Sequence, residues 1–248
     1  MPPTKFVLSD RFSNQINKFN VKSSQGAIAR SYRKLLEDIC KGPSKTSRDP
    51  SNLRRAVITY YHQFANHGQH DSQELLCSLL DGLHEDMNQS NKAGGRLKPV
   101  HVSSHSDGWQ IHLSRNSSPI VDIFHGILCN SITCPSCGFV EKVRDPFVFL
   151  SIAIPRKFST VKLESCLNKF SQQETLDAKN KWRCSKCKKM VRATKEMGVE
   201  KCGGNILIIH LKRFSGEGSY ASKIETPIEY PDFLNAESFT KDDKGRFK

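Results

Sequence analysis

The 248-residue sequence predicts an α+β fold, on three observations. Apolar residues recur at helical spacing through the first third. Short β-branched and aromatic runs, punctuated by turns, fill the remainder. Inside that strand-rich part sit two Cys-x-x-Cys pairs, Cys134-Pro-Ser-Cys137 and Cys184-Ser-Lys-Cys187. Each pair fits a knuckle that presents two thiolates to one metal ion.

Ile28, Tyr32, Leu35, Leu36 and Ile39 trace one face of a first helix, which Gly42-Pro43 ends. A second, shorter helix starts near Pro50 and carries Leu53, Val57 and Ile58. The third is the plainest: Leu75, Leu76, Leu79, Leu80, Leu83 and Met87 form one apolar stripe, and Asp71 and Glu74 have capping-box spacing at its start. Gly94-Gly95 breaks that pattern, and residues 96–118 read as a polar connection. Ile120 to Phe124 is expected to be extended, as are Phe147 to Ile154 and Ile206 to Leu211. Leu163, Cys166, Leu167 and Phe170 predict a short helix between the last two. The division is a helical part with its connection over 1–118, a β part over 119–235, and a polar tail over 236–248, expected to fray.

Nine cysteines and no apolar segment after Met1-Pro-Pro-Thr-Lys predict a soluble, reduced protein of the cytoplasm or nucleus. No run approaches the ~20 apolar residues of a membrane helix, so no membrane partner is expected. Net charge is +13, and Lys179 to Lys195 holds eight Lys or Arg residues without an acid. A basic zinc knuckle beside Trp182 raises nucleic-acid binding as a rival reading. Aromatics are not interleaved with the charges as a base-stacking platform requires, so that reading is disfavoured.

The cysteine spacing is specific within each pair and unusual between them. Small ribbons separate knuckles by about 15–20 residues, whereas 46 residues lie between Cys137 and Cys184. Structural zinc (Zn2+) held by all four sulfurs, clamping the ends of a long β excursion, is the favoured expectation. The alternative is two redox or free-thiol pairs that never meet.

Longer blocks carry a resemblance. Gln69-His70-Asp71-Ser72-Gln73-Glu74-Leu75-Leu76, continued by Leu79 to Asn88, resembles a signature of the ubiquitin-specific proteases, papain-like cysteine deubiquitinases. Ile120-Val121-Asp122-Ile123-Phe124-His125-Gly126 resembles the family's entry into its zinc fingers. Asp145-Pro146-Phe147 resembles the return, and His210-Leu211-Lys212-Arg213-Phe214 with Thr226-Pro227 the palm strand and its sequel. The resemblance runs over roughly residues 5 to 235 in the family's order. One departure is Asn66-His67-Gly68-Gln69-His70, where the family has Gly-Tyr-x-Gln-Gln.

The resemblance implies a papain-like fold of thumb, palm and fingers, a zinc cofactor on the four cysteines, and ubiquitin or ubiquitinated proteins as partners. It implies hydrolysis after the C-terminal glycine of ubiquitin by a Cys, a His and an orienting Asp or Asn. The Gly-Asn-Thr-Cys and Gly-His-Tyr boxes that carry them are absent, so no catalytic residue is assigned and this polypeptide is expected to be an inert partial domain. Cys77, Cys40, Cys129, Cys166 and Cys202 offer no cue for a substitute nucleophile, and His210 reads as a hydrogen-bonded core histidine. Ubiquitin's tail carries arginines, which makes Asp71 the first candidate contact and Glu74 the second; both also serve as plain helix caps. Phe214 matches a position lining the tail cleft, or is a core aromatic. Without the two boxes, the Leu75–Leu83 stripe should stand uncovered, at several times the ~2–5 kcal/mol of one large-to-small core change. A non-catalytic ubiquitin-binding or scaffold relative, and a basic zinc protein for nucleic acid, are the alternatives.

Overall fold

The computed structural model describes residues 14, 16, 23–43, 46–66, 68–90, 108–202, 206–215, 222–237 and 239–241. The Gly94-Gly95 break lies outside them, as does the side chain of Cys202. Two compact units divide the chain, one taking 1–101 and 111–122, the other 102–110 and 123–248. Helices and mostly antiparallel sheets make it α+β, as predicted.

The first unit is helical. α1 (Ala27–Lys41), α2 (Ser51–Tyr60) and α3 (Ser72–Met87) follow the apolar spacing of the sequence. α1 begins on two left-handed residues, Gln25 and Gly26, with φ of 54° and 83°. Its first N–H groups have no partner within the helix, and Gly26 offers no side chain to cap them. The fully buried carboxylate of Asp86, on α3, takes that part. It accepts from Ser24 N at 2.8 Å, Gly26 N at 3.1 Å and Ala29 N at 3.0 Å. Ser24 Oγ donates to the same carboxylate and accepts from Ile28 N at 2.9 Å. Close helix approach depends on Gly82, since a Cβ there would meet Ile28 Cδ1 at 2.7 Å.

Two helices stand where the sequence predicts none. α4 (Gly108–Arg115) occupies the supposed connection, and α5 (Pro119–Phe124) replaces the expected extended run. Pro119 sits at the first helical position, where its missing N–H loses nothing. Ser118 before it accepts from Asp122 N through its carbonyl and from Val121 N through its hydroxyl. Buried His84 meets Ser118 Oγ at 2.7 Å and Asn116 Oδ1 at 3.2 Å, and Asn116 Nδ2 reaches His112 Nδ1 at 3.1 Å. Burial, then the neighbouring His84, depresses the His112 pKa.

The second unit is β-rich. β1 (Gly126–Thr133), β2 (Val140–Phe147), β5 (Glu174–Thr175) and β8 (Thr194–Cys202) form an antiparallel sheet in the order β2-β1-β8-β5. Pro146 lies on edge strand β2, where no ladder N–H is needed of it. β8 carries a bulge: Leu128 faces Val199 and Ile127 faces Lys201, leaving Glu200 as the extra residue. The bulge turns the Glu200 carboxylate onto Arg144 Nε at 2.8 and 2.9 Å, with both side chains 12% exposed.

β3 (Phe149–Ala153) pairs in parallel with β9 (Ile208–Lys212), and α6 (Leu163–Ser171) follows β4 (Val161–Lys162). β9 is half-buried, and Ile206 lies exposed outside it, so the strand is less deeply covered than its apolar run predicts. Leu150, Ile152, Leu167, Val199 and Phe239 form the centre of this unit's core. Phe239 corrects the expectation of a frayed tail: it is fully buried, and Lys241 N donates to Val199 O at 2.7 Å. One large aromatic outweighs the polar residues around it.

Candidate functional site

The four cysteines converge. Hairpin β1–β2 presents Cys134 and Cys137; the turn between β6 (Trp182–Arg183) and β7 (Met190–Val191) presents Cys184 and Cys187. The two turns are built alike. Cys134 N donates to Phe139 O and Gly138 N to Cys134 O; Cys184 N donates to Lys189 O and Lys188 N to Cys184 O. The residue after each second cysteine, Gly138 or Lys188, has positive φ, 68° and 61°. This geometry bends each pair so that both sulfurs face one point.

All four sulfurs lie within 4.8 Å of one another. Cys134 to Cys187 is 3.8 Å and Cys137 to Cys184 is 3.7 Å. A tetrahedron of metal–sulfur bonds of about 2.3 Å has edges of about 3.8 Å, so the donors stand at the spacing a bound ion requires. The set can hold a metal ion, and the reading of two pairs that never meet falls on these distances. Trp182, Phe139 and Val191 pack against the cluster. Thiol chemistry is uneven: burial raises Cys184, but N–H donors from Cys187 and Lys186 outweigh it and lower its pKa to about 7. At Cys137 the Phe139 N–H pulls downward, yet burial and the adjoining sulfurs raise the thiol to about 11.

Asp71 is the N-cap of α3, its Oδ1 accepting from Gln73 N at 2.8 Å. It rims a groove of 620 Å³ lined by Leu53, Val57, Ile58, Phe64, Leu75 and Leu79, with His70 beside it. His70 sets its ring edge-on to Phe64, at 5.3 Å, and its Nε2 meets Asn66 Oδ1 at 2.7 Å. The stripe of α3 is half covered: Leu80, Leu83 and Met87 are buried, whereas Leu75 and Leu76 are 45% and 37% exposed. Glu74 is exposed one turn into the same helix. Phe214 belongs to the second unit, at the start of β10 (Phe214–Ser215), and is 62% exposed, so the core alternative for it fails.

Burial raises the thiols of Cys77, Cys129 and Cys166, the wrong direction for a nucleophile. Gln73 Nε2 donates to Cys77 Sγ, which fits packing on α3. His210 is half-buried, with Nδ1 3.2 Å from Ser151 Oγ. The groove lining was not legible as a site, because Leu53 and Phe64 look like ordinary core residues until α2 is placed against α3.

The sequence model of the family "Ubiquitin carboxyl-terminal hydrolase" matches residues 4–247. Ubiquitin carboxyl-terminal hydrolase 2 of Rattus norvegicus is 33% identical over 221 residues, covering 86% of this chain and 35% of the relative. The Gallus gallus hydrolase 2 is 34% identical over 212 residues, 83% of this chain and 59% of the relative. Hydrolase 4 of Saccharomyces cerevisiae (strain YJM789) is 31% identical over 257 residues, 97% and 27%. The chain thus spans less than two thirds of each of these relatives. Among solved structures, several of the SAGA Ubp8/Sgf11/Sus1/Sgf73 DUB module match. Bound to monoubiquitin it gives a TM-score of 0.70 at 23% identity, covering 96% of this chain and 49% of that one. Bound to ubiquitin aldehyde it gives 0.68 at 24% identity, covering 96% and 48%. At that identity the likeness establishes the fold.

Proposed function

Since the chain belongs to the ubiquitin carboxyl-terminal hydrolase family, we propose that it serves a deubiquitinase, gripping ubiquitin for hydrolysis after its C-terminal glycine. The match over residues 4–247 carries this reading. The chain supplies recognition and scaffold; the nucleophilic cysteine and its histidine belong to motifs this sequence lacks, and the raised thiols of Cys77, Cys129 and Cys166 fit that division. The solved modules bound to monoubiquitin and to ubiquitin aldehyde support ubiquitin as the ligand.

Asp71 meets an arginine of the ubiquitin tail, with Glu74 adding to the field; on the second unit, exposed Phe214 is a further candidate contact for ubiquitin. The apolar groove beside Asp71 suits an extended segment whose arginine is held at the rim. The ion in the cysteine cluster is zinc, which four thiolates select and which has no geometric preference to oppose a tetrahedral cage. Its role is structural: with four protein ligands, no position remains for substrate. Among the described residues no helix is long and apolar enough to cross a membrane, and we place the protein in the cytoplasm or nucleus.

Isothermal titration with ubiquitin tests the grip. Wild-type chain should bind and Asp71→Ala should weaken binding about tenfold, as loss of one charge-assisted pair predicts. A folded sample that ignores ubiquitin overturns the reading. A ubiquitin probe with a C-terminal electrophile should form no adduct with this polypeptide. Metal analysis should find one equivalent of zinc, lost in Cys184→Ser/Cys187→Ser.

A further inference from the structure

The turn that presents Cys184 and Cys187 carries more charge than a metal site needs. Between residues 179 and 192 stand Lys179, Lys181, Arg183, Lys186, Lys188, Lys189 and Arg192, all exposed, with no acidic residue among them. Four thiolates around a divalent ion leave two negative charges, which two of these cations would offset. Five remain. Lys181, Lys186, Lys188 and Lys189 enter no ion pair among the described residues. Two acids adjoin the turn: Asp177, which accepts from Lys179 N, Asn180 N and Asn180 Nδ2 and feels the charge of Arg192, and Glu141, which accepts from Ser185 Oγ.

The patch is not purely electrostatic. Met190, beside Lys189, is 57% exposed, and Val140, on the hairpin that presents the facing knuckle, is 44% exposed. Trp182, the one aromatic within the basic run, is half-buried against the cysteine cluster. A nucleic acid would match the charge, leave Met190 unmatched and find a single half-buried aromatic where a stacking platform needs several. An acidic polypeptide satisfies both features, its carboxylates meeting the lysines and an apolar side chain covering Met190.

We propose that the β6–β7 knuckle is a docking surface for an acidic protein segment carrying apolar residues among its carboxylates, separate from the Asp71 groove. The test is fluorescence anisotropy of the full chain with a dye-labelled glutamate-rich peptide bearing two central leucines. Removing three exposed cations in K181A/K186A/K189A should weaken binding about tenfold, the sum of three modest ion pairs. K41A/K162A/K223A removes equal charge from exposed lysines elsewhere and should change it by less than about twofold. Met190→Ser should weaken the leucine-bearing peptide and leave an all-glutamate peptide unchanged. Circular dichroism and metal content of the variants separate lost docking from lost folding. Equal loss in the two triple variants, indifference to Met190, tighter binding of duplex DNA, or no binding by wild type each overturns the proposal.

Discussion

Replacing Asp86 by asparagine keeps the shape of the side chain and removes its charge, which isolates the contribution of the carboxylate to the start of α1. In the native chain both oxygens are acceptors: Oδ1 takes Ser24 N and Gly26 N, and Oδ2 takes Ala29 N and Ser24 Oγ. Asparagine puts an NH2 where one oxygen was. If it replaces Oδ2, Ala29 N–H at 3.0 Å faces a donor and goes unsatisfied in a fully buried site, while the new NH2 is left with Ser24 Oγ, 2.7 Å away, as its acceptor. An unsatisfied buried donor costs about 1–3 kcal/mol, and the surviving bonds lose their charge assistance. The sum is about 3 kcal/mol, a large part of a stability near 5–15 kcal/mol. Urea unfolding followed at 222 nm should show the midpoint falling by about 1 M, taking a slope near 3 kcal/mol/M. Asp81→Asn, which removes only the charge that strengthens the exposed bond donated by Tyr61 Oη, is the control and should move it by a third of that or less. A midpoint for Asp86→Asn no lower than that of Asp81→Asn would refute the reasoning.

Three further outcomes are expected. Gly138→Ala meets nothing within 4 Å but must hold φ near 68°, so it should destabilise by the backbone term alone, about 1–2 kcal/mol by thermal unfolding. Gly198→Ala has the opposite cause: its Cβ would meet Lys241 Cε and Cγ at 2.9 Å, and because Lys241 is buried the loss should be about 1–3 kcal/mol, relieved in part by Lys241→Ala. His112 has a pKa below its ordinary 6.5, so the unfolded chain binds a proton that the folded chain refuses. Its contribution is complete above pH 6.5 and is lost as pH falls from there through the folded pKa, with a slope of at most about 1.4 kcal/mol per pH unit. Stability measured between pH 7 and 5.5 should flatten in His112→Gln.

What could be read in advance had short range or strict spacing. The α3 stripe repeats over four turns, and the capping position of Asp71 lies next to the helix it starts. The cysteine pairs announce their knuckles, and a ligand set is the same set whatever distance separates its halves. Ile120 to Phe124 misled because β-branched residues favour strands by side-chain packing; Ser118-Pro119 was the better signal, being a constraint on the backbone. Asp86 looked like one more acid at a helix end. Its partners are about 60 residues away, and only the packing of α1 on α3 makes it a cap. Phe239 was hidden by its polar neighbours, though one aromatic in such a segment suffices to dock it.

The ladder between β1 and β8 closes at Thr133↔Thr194, 61 residues apart in sequence, one residue before Cys134 and seven beyond Cys187. Strands so far separated meet slowly, because the intervening chain surrenders its freedom before any contact rewards it. An ion gripped early by the two knuckles turns that long search into the closing of a few residues. It also rejects misaligned pairings, since a slip of one residue shifts one knuckle about 3.3 Å along the other, too far for one ion to hold both. Deprived of metal, a newly made chain keeps its strand edges bare for longer, which is when such edges find other chains. Where the cluster takes up an ion, its supply during synthesis would bear on the yield of native protein, beyond its effect on the stability of molecules already folded.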